Sequence, residues 1–458
     1  MEYISTRNNK KKYSFKEVFL KGLAPDGGLF VPKKIPVCFA ELSKLSNPSY
    51  NKLAEEIIYK FCSDEFNKNE IRSLVDNSYK NFHIKNVIRM TKIGKLNLLE
   101  LFHGPTLAFK DIAMQVIGNM YEKFLNKSNM KINIVVATSG DTGAAAINAI
   151  KNRKNIKIFV LHPENRISEI QRKFMTTIDS KNVFNIALDS NFDECQNFVK
   201  SMFADKNFRN SINMSGMNSI NWARIIFQIV YYFYSYFQIA KKREKISFSV
   251  PTGNFGDIYA GYVAKKMGLP INKLILATNK NDILTRVVKT GIYKPQKVHS
   301  TITPSMDIQI ASNFERLIFD IHSFKSTEVL RLMKNLQTKG ELRLKDKELK
   351  RIKKDFTAES LNDGETKSIL REVYLKNKIL LDPHTAVGVG VLKKISIKGN
   401  VVVLSTAHPS KFPKVVSEAT GIEPELPERF NNLLFSKENY DKLPRDLEKI
   451  KQYILARI

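Results

Sequence analysis

The sequence predicts an α/β protein built on parallel sheet, on three observations. From about residue 132 onward, short runs of β-branched residues alternate with stretches of helical periodicity. Small-residue turns rich in Gly, Ser and Thr sit where a strand hands over to a helix, as in 139–143 and 251–257. Residues 1–80 lack this alternation and read as mainly helical after the turn Pro25-Asp26-Gly27-Gly28.

In order along the chain, a domain boundary is expected near Tyr79, dividing an N-terminal domain of 1–79 from a region of 80–458. The second region is read as two α/β lobes, one covering roughly residues 112–240. Within it 132–138 reads as a buried strand, followed by a turn and an Ala-rich helix starting at Ala144. A strand over 157–161 leads to a helix near 167–178, and a strand over 183–188 to a helix over 192–204. The apolar stretch 225–240 carries Gln228, Ser235 and Gln238 and falls short of the roughly 20 residues a membrane span needs, so it is expected as a buried helix. Further strands are expected at 245–250, 273–277 and 401–404, with helices after Asp257 and after Lys411. The charge-dense stretch 339–356 is expected to be a solvated helix.

Composition removes several function classes. Among 458 residues, 43% are hydrophobic, enough for a large core and too many for a disordered chain. Cys38, Cys62 and Cys195 are too few and too scattered for a disulfide framework, and no Cys/His spacing suits a metal. A reducing compartment, the cytoplasm, is therefore expected. Residues 1–13 are polar and basic with no apolar run behind them, so a cleaved secretory signal is not expected. The 74 Lys+Arg against 45 Asp+Glu leave a charge of +29, which would suit a polyanion. These cations are spread along the chain, with no arginine-rich arm or aromatic-basic motif, so neither nucleic acid nor membrane is the expected partner. Abundant Lys, Asn and Ile, whose codons are AT-rich, account for the excess more simply. Periodicity carries no information on oligomeric state.

Three turns have the chemistry of a site. Pro251-Thr252-Gly253-Asn254-Phe255-Gly256-Asp257 joins a strand to a helix, and its glycines can aim several N–H groups at one anion. It reads either as a phosphate cradle or as an ordinary turn capped by Asp257; it is neither a Walker A loop nor a dinucleotide fingerprint. Ser139-Gly140-Asp141-Thr142-Gly143 is a similar turn, fit for a carboxylate or simply capped. In His103-Gly104-Pro105-Thr106-Leu107-Ala108-Phe109-Lys110-Asp111, Lys110 follows a sharp turn among apolar and small residues; it is a surface charge or, if desolvated, a nucleophilic amine.

Together with Gly22 to Phe30, Asp382-Pro383-His384-Thr385-Ala386-Val387-Gly388 and Leu404-Ser405-Thr406-Ala407-His408-Pro409, these motifs run in order nearly end to end. The set resembles the threonine synthases, pyridoxal-phosphate enzymes of fold type II, the tryptophan synthase β class. The resemblance implies two α/β lobes with the site between them and a mainly helical N-terminal domain. It implies a carbon–oxygen lyase acting on a phosphate, converting O-phospho-L-homoserine and water to L-threonine and phosphate, the last step of threonine biosynthesis. A threonine-synthase-like phospho-lyase releasing 2-oxobutyrate, phosphate and ammonia is the alternative. Carried over by position, Lys110 is the Schiff-base lysine and proton shuttle. Gly253, Asn254, Phe255, Gly256 and Asp257 hold the cofactor phosphate, and Thr406 faces the pyridine nitrogen. Ser139, Gly140, Asp141 and Thr142 embrace the substrate carboxylate, and Asn218, Ser219, Asn221 and Arg224 take its phosphate. Asp141 is expected to be protonated, turned toward a donor or used as a cap. His103 is expected to shape the Lys110 turn, and His384 and His408 are given no catalytic role.

Overall fold

In the computed structural model, which describes all residues of the chain except 129, 165, 166, 242 and 243, two main sheets organise the chain. The first has six strands in the order Phe356–Ser360, Ile271–Thr278, Ile246–Pro251, Val401–Ser405, Leu96–Glu100, Arg89–Ile93. All its neighbours are parallel except the antiparallel edge pair Arg89–Ile93 and Leu96–Glu100. The second sheet is fully parallel, in the order Asp441–Leu443, Val183–Leu188, Ile156–Pro163, Ile132–Ala137, Met214–Ser215. Helices cover both, so the central strands are largely buried on both faces and mostly apolar, with Ser247, Ser249 and His162 among their few buried polar positions.

The Trp222–Ile239 helix is buried from Trp222 to Tyr236, as its apolar pattern predicts. No described helix is long and apolar enough to cross a membrane. Strands over Ile132–Ala137, Val183–Leu188 and Ile246–Pro251 lie within a residue of their expected bounds. The helix after Ile132–Ala137 starts at Asp141 rather than Ala144. The Thr138 hydroxyl accepts the N–H groups of Gly140 and Gly143, both at 2.9 Å, which winds the turn earlier than the Ala run suggests. Of the charged stretch, Asp346–Asp355 is helical and keeps only Glu348 and Ile352 buried.

The first 79 residues form the helices Phe15–Lys21, Phe39–Leu42, Tyr50–Cys62 and Lys68–Tyr79. Two starts carry reciprocal caps, Ser14 with Glu17 and Asn67 with Glu70. A small antiparallel pair, Tyr3–Ser5 with Phe30–Pro32, was not expected; three-residue strands are too short to show alternation.

Four strands from the two sheets end at one place, and the segments that follow them are the motif turns: 101–110 after Leu96–Glu100, 138–143 after Ile132–Ala137, 252–257 after Ile246–Pro251 and 406–411 after Val401–Ser405. The carboxyl ends of parallel strands are where an α/β sheet leaves backbone free to meet a ligand.

Candidate active site

Lys110 opens the Lys110–Ser128 helix and is 8% exposed, with its Nζ 4.8 Å from the Phe109 ring centre. The turn before it is tied from both sides. Asp111 accepts from the Thr106 N–H and hydroxyl, both at 2.7 Å, and Gly104 lies so close that a Cβ there would fall 2.4 Å from the Asp111 Cβ. Burial pushes the Asp111 carboxyl up to about 6. On the other side the Phe109 N–H donates to the Thr406 carbonyl at 2.9 Å and the His408 N–H to the Leu107 carbonyl at 3.0 Å. This backbone bridge brings Thr406 to the lysine. The Thr406 hydroxyl makes no hydrogen bond among the described residues, so it is free for a ligand.

The 253–257 turn is constructed for close backbone approach. A Cβ at Gly253 would sit 2.6 Å from the Ser305 carbonyl oxygen, so only glycine fits. Phe255 holds φ at 62° and is buried against Phe314 and Phe356. The helix begins at Gly256 without a side-chain cap, so Asp257 is not the N-cap. None of the five N–H groups from Gly253 to Asp257 donates to a described residue. The Asp257 carboxylate is turned to the hydroxyls of Tyr231 and Tyr232, and burial pushes it up to about 6.

Ser139, Asp141 and Thr142 likewise keep their N–H groups free among the described residues, and Gly140 takes φ of 131°. Asp141 Oδ1 lies 2.7 Å from Lys411 Nζ and accepts from the Gln171 amide at 3.0 Å, while Oδ2 lies 3.5 Å from Lys110 Nζ. Burial works against its ionisation, but the ammonium groups of Lys411 and Lys110 outweigh that and hold the carboxyl far below the usual range. Of the three expected states of Asp141, turned toward donors is the one the geometry provides, and the helix cap position is taken by Gly140. For Lys110, burial pushes the amine below the ordinary lysine range; Asp141 opposes this, and Arg224 and Lys411 add to it.

Arg224 is 4% exposed, its guanidinium has no partner among the described residues, and its Nε is an orphaned donor. Burial pushes it down to about 10. An uncompensated buried guanidinium is costly, so this one fits an incoming anion. Its neighbours differ. Asn221 is fully buried, capping the Ala223 N–H and donating to the Phe19 carbonyl, so its amide is engaged at both ends. Asn218 is exposed and accepts from the Ile220 N–H, and the Ser219 carbonyl accepts from Asn313.

The histidines are held as structure. His103 bridges His83 at 2.9 Å and Glu100 at 2.8 Å. His384 lies 3.0 Å from Asp382, and His408 caps the Pro409–Lys411 turn through Ser410. Two partners of the site carried no sequence signal of their own, Lys411 and Gln171, whereas Asp111 lay inside a motif without a role assigned to it. Lys411 follows a recognised motif by two positions, which was the one available hint. A separate cleft of about 570 Å³ reaches Pro105 but contains none of these groups.

These residues fit pyridoxal phosphate: a free set of N–H groups for its phosphate, a buried primary amine for its aldehyde and an unbonded hydroxyl across the backbone bridge. No described group of His, Cys, Asp and Glu could hold a metal ion.

Comparison with known proteins gives the same picture. Residues 2–79 match the family model described as threonine synthase N terminus, 92–407 that of the pyridoxal-phosphate dependent enzymes and 385–454 that of threonine synthase, C-terminal. A threonine synthase of Pseudomonas aeruginosa is 41% identical over 99% of this chain and 98% of its own. The crystal structure of pyridoxal-phosphate-bound threonine synthase from Brucella melitensis has a TM-score of 0.96 at 43% identity, covering 100% of this chain and 99% of that one. The yeast enzyme's crystal structure has a TM-score of 0.92 at 40% identity, covering 100% and 98%.

Proposed function

The chain belongs to the threonine synthase family, a pyridoxal-phosphate-dependent enzyme of fold type II, and from that membership we infer that it converts O-phospho-L-homoserine and water to L-threonine and phosphate. The phospho-lyase alternative is not favoured, since bacterial and yeast relatives at 37–41% identity over nearly the whole chain carry the synthase name. The observation that carries the residue assignment is the convergence of a desolvated amine, an unpaired buried guanidinium and the free N–H groups of two turns.

When bound, the cofactor supplies the electron sink for carbanion chemistry. This chain's residues do the rest. Lys110 Nζ is the attachment point and, once displaced, the group that takes and returns protons at the substrate. The N–H groups of Gly253 to Asp257 would hold the cofactor phosphate, and the unbonded Thr406 hydroxyl would serve the ring nitrogen without offering a full negative charge. The N–H groups of Ser139, Asp141 and Thr142 hold the substrate carboxylate, with Gly140 allowing close approach. The Asp141 charge is taken up by Lys411, so it does not repel that carboxylate. Arg224 binds the substrate phosphate, with Asn218, Ser219 and Asn221 shaping the helix start around it.

The proposed division places 1–79 as the N-terminal domain and 80–458 as the catalytic region. The three cysteines are buried and unpaired, which supports a reducing compartment, the cytoplasm. The test is an assay of phosphate, threonine and 2-oxobutyrate from O-phosphohomoserine, with Lys110→Ala alongside. Phosphate and threonine in equal amounts, lost in the variant, are expected; 2-oxobutyrate in place of threonine would overturn the synthase reading.

A further inference from the structure

Lys411 is an unusual lysine: its side chain has 0% exposure, in a molecule whose other cations lie mostly in water. Three different segments of the site hold it. Its Nζ lies 2.7 Å from Asp141 Oδ1, donates to the Thr106 carbonyl at 2.7 Å and stands 5.1 Å from the centre of the Phe174 ring. The backbone is fixed as well, since the Ser168 hydroxyl donates to the Lys411 carbonyl at 3.1 Å. Ser168 caps the Glu169–Thr176 helix, and that helix supplies both Gln171 and Phe174.

A buried ammonium persists only where a carboxylate and hydrogen-bond acceptors replace its water. Asp141 is that carboxylate, and it is shared. One oxygen serves Lys411 at 2.7 Å; the other faces Lys110 at the longer 3.5 Å. We propose that Lys411 is a positioning residue: by holding Asp141 through the shorter of its two ion pairs, it withholds that carboxylate from Lys110 and leaves the Lys110 amine reactive.

The charged groups around Lys110 are consistent with this. Asp141 favours its ammonium form, as by reciprocity does the Asp257 carboxylate that feels Lys110, while Arg224 and Lys411 disfavour it. The neighbouring Asp111 carboxylate is occupied by Thr106. Removing Lys411 both deletes a repelling cation and hands Asp141 wholly to Lys110, so the two effects have the same sign. Lys411 touches no reacting atom in this scheme; it acts through Asp141.

The inference rests on Lys110 being the amine that takes the cofactor. The test is the uptake of pyridoxal phosphate by the full-length protein, stripped and reloaded across a pH series and followed by visible absorbance. In Lys411→Met the pH of half-maximal uptake is expected to rise by about one unit, so uptake at neutral pH slows about tenfold. Lys411→Arg, which keeps the cation, is expected to stay close to the wild type. A purely structural role would lower the thermal unfolding temperature without moving this profile, and an unmoved profile in folded Lys411→Met overturns the proposal. If Lys411→Met does not fold, the comparison passes to Asp141→Asn against the double variant Lys411→Met/Asp141→Asn, in which no buried carboxylate is stranded. The double variant is expected to load at nearly the same pH as Asp141→Asn, because without the carboxylate Lys411 has nothing to act through, and a rise as large as about one unit would show direct repulsion instead and overturns the proposal. Lys110→Ala separates the two readings. Normal cofactor uptake by that variant would overturn the assignment of Lys110, whereas no uptake by it together with an unmoved Lys411→Met profile overturns the role of Lys411 alone.

Discussion

Arg224 and His408 show how burial at single residues becomes chemistry. The Arg224 guanidinium is desolvated, with the Asp257 charge nearby but no hydrogen-bond or ion-pair partner among the described residues, a cost that an anionic ligand relieves. Arg224→Ala is expected to raise the KM for O-phosphohomoserine by about a hundredfold, on the scale of a lost charge-assisted hydrogen-bond pair, while cofactor affinity changes little. Steady-state kinetics beside a cofactor titration checks this, and an unchanged KM would return Arg224 to a structural role. His408 is held neutral instead: burial pushes it down to about 4, with the nearby His103 and His83 adding to the effect. The unfolded chain binds this proton near the ordinary 6.5, before the folded chain does, so the contribution to stability is present above that pH and is lost as pH falls toward 4. Between pH 7 and 4 the loss from this one group is about 3 kcal/mol. In His408→Gln that loss is absent, so the stability gap between variant and wild type should shift by this amount across the interval, as measured by denaturant unfolding.

Strand-to-helix turns are the elements on which the site depends. At 252–257 the proposed phosphate ligand is the backbone itself, whose N–H groups from Gly253 to Asp257 have no described acceptor, so side-chain identity matters chiefly through the space it leaves. A Cβ at Gly253 would collide with the Ser305 carbonyl, and backbone cannot yield as a flexible side chain can. Gly253→Ala is therefore expected to weaken pyridoxal phosphate binding at least about tenfold by displacing the free N–H groups, with the fold retained. Equilibrium titration of the stripped protein measures it, and wild-type affinity would show that the turn adapts. The glycine spacing of this turn was legible in the sequence because its backbone purpose is local. The turn at 139–143 was legible in place but not in detail: the Thr138 hydroxyl that advances the helix start looks like an ordinary strand residue until folded.

Across the whole molecule, one hydrophobic core joins the N-terminal residues to the lobes. Phe19 packs on Tyr121 with ring centres 4.6 Å apart, Phe15 and Phe19 face Phe124, and Phe61 meets Trp222, itself beside Tyr259. Polar ties reinforce the join: Glu315 accepts from Thr6 and twice from Arg7, and fully buried Arg316 donates to the Phe30 and Ile220 carbonyls. A chain shortened to 80–458 would expose this aromatic face to water, and large apolar patches associate. It is expected to aggregate or remain partly unfolded, with the emission of Trp222, the one tryptophan, shifted to the red. Soluble, cofactor-binding 80–458 with wild-type emission would make the N-terminal residues dispensable to the fold.

By itself the sequence determined the α/β class and the strands flanking the site, because apolar periodicity and turn chemistry are read over a few neighbouring residues, whereas it left Lys110 open between a surface charge and a reactive amine. The match of its ordered motifs to one family added the cofactor and reaction. Only the tertiary structure decided the pairing of Asp141 with Lys411, the lack of a hydrogen-bond partner for Arg224 among the described residues and the engagement of Asn221 by Phe19. It also singled out Lys411 from 74 Lys+Arg. Burial and pairing depend on residues as distant as Thr106 is from Lys411, and a charge acquires its meaning from whichever dielectric and counter-charge the fold places around it.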